Sequence, residues 1–124
     1  MIETEMLLDG VELPWPPSVN HYWRPGRDRR GRPARYLTTA ARDYKAIVCA
    51  LCGRKSAFSG RVSVRVLAYP PDRRTRDLDN LLKSLFDSIS GAGVIVDDCQ
   101  IDEIHVRRES VHKGGMVKVW LWEI

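Results

Sequence analysis

The hydrophobic pattern of this chain changes period along its length, and that change limits what it can fold into. Between Arg61 and Tyr69 the apolar residues alternate, with Val62, Val64, Val66 and Ala68 on one side. That is the period of a strand with one buried face. Pro70-Pro71 stops it. Beyond, Leu78, Leu81, Leu82, Leu85, Phe86 and Ile89 recur every three or four residues, the period of an amphipathic helix. Asp77 or Asp79 is placed to open this helix, and Gly91 or Gly93 to close it. A second helical stripe, Ala41, Tyr44, Ile47, Val48 and Leu51, lies between a capping Thr38 or Thr39 and Gly53. Neither an all-helical bundle nor an all-β sandwich accommodates both periods.

The remaining segments fit around this frame. Met6–Leu13 reads as a strand, or as a short hairpin turning at Asp9-Gly10. Leu13-Pro14-Trp15-Pro16-Pro17-Ser18 reads as an extended connection, because its prolines fix φ and remove donors. Residues 24–35, rich in Arg, Gly and Pro, read as a mobile basic loop. Val94-Ile95-Val96 reads as a short apolar strand. Glu103–Glu109 and Met116–Glu123 alternate again and read as a hairpin joined by His112-Lys113-Gly114-Gly115. At 124 residues, with no repeat and no linker, the expectation is one α+β domain spanning 1–124, its two main helices packed on a sheet.

Composition excludes several classes. The chain is 44% hydrophobic and 29% charged, which argues against wholesale disorder. No apolar run approaches the ~20 residues of a membrane helix, and the acidic N-terminus lacks a signal-peptide layout. A cytoplasmic protein is therefore expected. Cys49 and Cys52 form a CxxC, but they sit inside a helical pattern with Cys99 remote. With His21, His105 and His112 they do not make a zinc set, and a structural role is favoured.

The formal charge of +4 conceals an uneven distribution. Glu3, Glu5, Asp9 and Glu12 lie in a segment without Lys or Arg, so the rest of the chain is more basic than the total suggests. One cluster is Arg24, Arg27, Arg29, Arg30, Arg32 and Arg35, and another is Arg73, Arg74 and Arg76. A third gathers Arg107, Arg108, Lys113 and Lys118, with His105 and His112 among them. A single cluster is often only a solvated surface. Three in a short chain point to a phosphate backbone, where Lys and Arg displace counterions.

Carboxylates follow the basic clusters: Asp77 and Asp79 in Arg76-Asp77-Leu78-Asp79-Asn80, then Asp97 and Asp98 after the apolar triplet. Helix capping explains one Asp at a loop-to-helix junction, and two less well. Like charges gathered together raise one another's pKa, and a hard divalent cation such as Mg²⁺ removes that conflict. Spacing leaves capping and metal binding both open. Lys83 lies four residues after Asp79, so it forms either a simple ion pair with that residue or a contact to a scissile phosphate. Asp87 reads as a solvated helix residue, and Asp102 and Glu103 as strand-edge charges. Trp15 is expected in the core, while Tyr22 and Trp23 are left open between core packing and nucleobase stacking.

Leu13-Pro14-Trp15-Pro16-Pro17-Ser18-Val19-Asn20-His21-Tyr22-Trp23-Arg24 resembles the N-terminal signature of the RusA family of Holliday junction resolvases. Arg76-Asp77-Leu78-Asp79-Asn80-Leu81 with Lys83 resembles its central motif, and Val96-Asp97-Asp98, Gln100 and Lys113-Gly114-Gly115 follow in order. The resemblance implies a RusA-like mixed sheet and a homodimeric, Mg²⁺- or Mn²⁺-dependent endonuclease that resolves four-way DNA junctions by paired symmetrical nicks. It implies Asp77, Asp79 and Asp98 as metal ligands, Asp97 as their support and Lys83 as the catalytic lysine. Arg24, Arg27, Arg29, Arg30, Arg73, Arg74, Arg76 and Lys113 are then the expected DNA contacts. A two-fold dimer would present two equivalent sites to a two-fold junction. The rival expectations are a non-catalytic nucleic-acid-binding module with capping aspartates, and a metal-dependent nuclease for other branched DNA or RNA.

Overall fold

A computed structural model describes residues 4–124, so Glu3 of the acidic segment lies outside the described residues. Along the chain run β1 (Met6–Pro14), a 3-10 turn (Val19–His21), β2 (Trp23–Arg27), β3 (Pro33–Leu37) and α1 (Thr39–Cys52). Then come β4 (Val62–Tyr69), a 3-10 turn (Leu78–Leu81), α2 (Leu82–Gly91), a 3-10 turn (Asp98–Gln100), β5 (Ile101–Arg108) and β6 (Met116–Glu123). The main sheet has the order β1-β6-β4-β5. Its β4–β5 pair is parallel and the others antiparallel, which makes the α+β domain with a mixed sheet and two main helices that the sequence pattern predicts.

The buried face of β4 is the alternating set Val62, Val64, Val66 and Ala68, flanked by Val117, Val119 and Leu121 of β6. Against it pack Leu85, Phe86 and Ile89 of α2 and Tyr44 and Val48 of α1. Thr38 caps α1, its hydroxyl accepting from the Ala41 N–H at 3.2 Å. Two members of the predicted α1 stripe, Ile47 and Leu51, stay exposed, because the buried face is the narrower set Ala41, Tyr44 and Val48. Cys49 and Cys52 lie on α1 with free thiols, and that of Cys52 donates to the Val48 carbonyl.

Several local expectations are corrected. Residues 24–35 are not an irregular loop: β2 and β3 pair antiparallel as a separate two-stranded sheet, Arg24 opposite Tyr36 and Arg27 opposite Pro33. Gly31 at φ 75 and the Asp28 carboxylate, which accepts from the N–H groups of Arg30 and Arg32, build its turn. β5 and β6 are not a hairpin, because β4 lies between them and pairs with both. Asp9-Gly10 makes no turn: β1 runs through it with a register shift, and Gly10 at φ 69 lies against the Trp120 ring. Val94-Ile95-Val96 forms no strand beyond a single bridge from Ile95 to Phe58.

Parallel strands need a long crossover. Between β4 and β5 it carries both acidic motifs and α2. Asp77 and Asp79 therefore enter α2, while Asp97 and Asp98 leave it toward β5.

Candidate active site

The chain enters α2 through a tight turn, not through the helix start predicted at Asp77 or Asp79. Asp77 stands before the Leu78–Leu81 turn in extended conformation and its side chain makes no cap hydrogen bond. The capping alternative therefore does not describe Asp77. Asp77 and Asp79 are both exposed. Lys83, in the first turn of α2, points across to the other motif: its Nζ lies 3.2 Å from Asp98 Oδ2. The i,i+4 pair with Asp79 gives way to this contact between the two ends of the crossover.

Asp97 and Asp98 are held by their own turn. The Asp97 side chain accepts from the Gln100 backbone, and Gln100 Oε1 accepts from the N–H groups of Val96 and Asp97 at 2.8 and 2.9 Å. Gln100 Nε2 donates to the carbonyls of Phe58 and Gly60 at 2.8 and 2.7 Å. Gln100 thus fixes the Asp-Asp turn to the segment before β4. The Cys99 thiol, followed by Asp98 and neighbouring N–H groups, holds the Asp97 carboxyl below the usual range.

A second node lies behind Lys83. Tyr22 is fully buried, which removes it from nucleobase stacking, and its hydroxyl donates to Asp87 Oδ2. Lys45 Nζ lies 3.0 Å from the same oxygen. Asp87 is therefore not the solvated residue its sequence position suggests. Burial alone would raise its carboxyl, but the bonds from Tyr22 and Lys45 and the charges of Lys45 and Lys83 outweigh that and lower it. The Tyr22 phenol is pushed up, first by burial, then by its bond to Asp87 and the charges of Asp87 and Asp98. Ser84 of α2 donates to the Pro17 carbonyl at 2.5 Å, and Tyr44 of α1 to that of Pro14 at 2.8 Å. These bonds fasten the proline-rich segment along the helices. No local sequence signal identifies Tyr22, Lys45 and Ser84, because their partners are 65, 42 and 67 residues away.

Asp77 forms part of the wall of two adjoining clefts. One, of about 420 Å³, is lined by Arg73, Arg74, Arg76 and Arg108 among others. The other, of about 270 Å³, adds Ser18 and Asn80. Trp15, half-buried against the core, borders both. Behind Trp15 lies the turn after His112: Gly115 has φ 76, and a Cβ there would approach the Trp15 Cβ to 2.7 Å. This accounts for glycine in the Lys113-Gly114-Gly115 motif, whose Lys113 is exposed.

The predicted DNA-binding arginines fall on two surfaces. Arg73, Arg74 and Arg76 lie at the clefts. Arg76 is engaged by Asp72 through bonds of 2.6 and 3.1 Å, which hold the Asp72 carboxyl down to about 2. Arg24, Arg27, Arg29 and Arg30 belong to the β2–β3 hairpin. Arg24 stacks over Tyr36 at 5.3 Å and Arg35 over the exposed Trp23 at 5.1 Å, while Arg27 donates to the Gly31 carbonyl.

Among the described residues, no three His, Cys, Asp or Glu side chains stand close enough together to hold one metal ion. The donor chemistry nonetheless suits a hard cation: Asp77 and Asp79 are exposed carboxylates, and Asp98 already faces the positive charge of Lys83.

The family model described as endodeoxyribonuclease RusA matches residues 14–120. The crossover junction endodeoxyribonuclease RusA of Escherichia coli (strain K12) is 37% identical over 114 residues, covering 92% of this chain and 93% of the relative. The enzyme of that name from Enterobacteria phage 82 is 36% identical over 117 residues, with the same coverage. That from Enterobacteria phage HK97 is 37% identical over 115 residues, covering 90% of this chain and 92% of the relative. The chain belongs to the RusA endodeoxyribonuclease family.

Proposed function

We propose that this chain is a homodimeric, divalent-metal-dependent endodeoxyribonuclease that resolves four-way DNA junctions by paired symmetrical nicks in the cytoplasm. The observation that carries this reading is the Lys83–Asp98 contact across the crossover, in a chain whose arginine-lined cleft includes Asp77. Relatives of similar length that bear the crossover junction endodeoxyribonuclease name supply the substrate.

Asp77, Asp79 and Asp98 would hold Mg²⁺ or Mn²⁺, which when bound supplies Lewis acidity at the scissile phosphodiester. Lys83 offers its ammonium to charge that develops on the phosphate oxygens, and Asp98 aims it. Asp97 and Gln100 keep the Asp98 turn in place. Arg73, Arg74 and Arg76 at the cleft, Arg24, Arg27, Arg29 and Arg30 on the hairpin, and Lys113 grip the backbone, since phosphate contacts position a duplex. No helix of the described chain is long and apolar enough to cross a membrane.

The test is Asp77→Asn on a synthetic four-way junction with Mg²⁺, against a panel of forked, flapped, duplex and single-stranded substrates. The variant is expected to bind the junction and leave it uncut. Full cleavage by the purified variant would overturn the metal assignment, and preferential cutting of another substrate would overturn the junction.

A further inference from the structure

Lys83 sits in the first turn of α2, where the helix dipole works against a cation, and its side chain is half exposed. A solvated ion pair such as the one with Asp98 orients so flexible a side chain weakly. In the proposed function Asp98 is also shared with a divalent cation, which leaves it less to offer an ammonium. A second carboxylate is at hand. Asp87 lies four residues further along α2, a neighbour of Lys83 on the same face of the helix.

Asp87 is itself anchored from two other segments. Tyr22, fully buried ahead of β2, donates its hydroxyl to Asp87 Oδ2, and Lys45 of α1 places Nζ 3.0 Å from the same oxygen. Tyr22 is held in turn by Thr38, whose N–H donates to its carbonyl at 3.0 Å. The stem of Lys45 runs over Gly91, where a Cβ would come within 3.2 Å of Lys45 Cε. A staple between helices needs only these hydrogen bonds, and an asparagine oxygen would accept them. The negative charge has a further object. The charge of Lys83 is felt at Asp87, and those of Asp87 and Asp98 are both felt at Tyr22. Lys83 is thus flanked by two carboxylates, Asp98 across the crossover and Asp87 on its own helix.

We propose that Asp87 is a positioning residue for Lys83: anchored by Tyr22 and Lys45, it holds the Lys83 ammonium in place by charge from one helical turn away. Asp98 is then free to serve as a metal ligand without Lys83 swinging into solvent. A misplaced catalytic group loses rate steeply, so the effect belongs to the cutting step and not to DNA binding. The proposal rests on the reading of Lys83 as the catalytic lysine of a nuclease and adds the group that keeps it oriented.

The test has two readouts on the full chain. The first is NMR relaxation of the Lys83 ε-methylene without metal or DNA, assigned with Lys83→Met. Its order should persist in Asp98→Asn, fall by about half or more in Asp87→Asn, and vanish in the double variant. The second is single-turnover cutting of a four-way junction with Mg²⁺. Asp87→Asn should cut about tenfold more slowly or worse, with junction affinity in EDTA unchanged. In the Lys83→Met background the same substitution should cost less than about twofold, because its effect runs through Lys83. Lys45→Met, which leaves Asp87 charged but unanchored, should lose part of the order and the rate, and Lys45→Arg should regain them. These two variants carry both readouts if circular dichroism finds Asp87→Asn unfolded. Lys83 as ordered in Asp87→Asn as in wild type, or freed by Asp98→Asn alone, would overturn the proposal. So would an equal loss of cutting in both backgrounds, which would mark Asp87 as a structural staple only. A wild type that cuts no junction, with Lys83 still released by Asp87→Asn, would count against the nuclease reading and leave the positioning of Lys83 standing.

Discussion

Lys83 carries the proposed chemistry, and its partner is set by tertiary placement. Spacing offers Asp79, but the fold supplies Asp98 at 3.2 Å. Lys83→Met should lower the turnover of junction cutting by about 10²–10³-fold while leaving junction affinity within a few fold, read by single-turnover kinetics beside gel shift. Tyr22 behaves differently. Tyr22→Phe removes a hydrogen bond to a charged, partly buried carboxylate and should cost about 1.5–3 kcal/mol, read from urea unfolding. The pH dependence follows from the raised phenols of Tyr22 and Tyr44, both shifted first by burial. Their folded-state values lie above the unfolded one, near 10. Their contribution is therefore full below about pH 10 and is lost as pH rises beyond it. Thermal melts should show alkaline destabilisation, less steep in Tyr22→Phe.

At the scale of elements, α2 is both core and platform. Leu85 is fully buried against the sheet, and Leu85→Ala should cost about 2–5 kcal/mol in chemical denaturation. Gly115→Ala is a narrower probe. It puts a Cβ at a left-handed φ and against Trp15, so it should destabilise the fold and disturb the cleft wall together. The β2–β3 hairpin stands apart from the main sheet, and its turn arginines Arg29 and Arg30 are exposed. Arg29→Ala with Arg30→Ala should leave the melting curve unchanged. It should flatten the dependence of junction affinity on salt by about one unit of log–log slope per lost phosphate contact. The sequence hides this hairpin because its Pro, Gly and Arg content resembles a loop. The ladder and the Asp28 turn overrule that composition.

For the whole molecule, the proposed function divides the uneven charge between gripping and cutting. In the proposed function the basic surfaces bind phosphate without help, whereas the carboxylates need a cation. EDTA should therefore abolish junction cleavage and leave salt-sensitive binding in place, read by running both assays on the same protein. The mixed topology has a matching consequence. β4 lies between β5 and β6, so the crossover that joins β4 to β5 must pass over the sheet, and it carries Asp77, Lys83 and Asp98 along one path.

The periods of hydrophobicity by themselves determined the β4 strand, the α2 helix, the α+β class and the core valines. Those signals are local, since alternation and helical stripes are written in neighbouring residues. The acidic and basic motifs are likewise visible as local clusters, although spacing alone leaves capping and metal binding both open. Tertiary structure alone decided that the C-terminal strands are separated by β4, that Lys83 pairs with Asp98, and that Asp87 lies behind Lys83 under Tyr22. Each of those outcomes depends on which distant segments the buried faces bring together, and no short-range pattern encodes that.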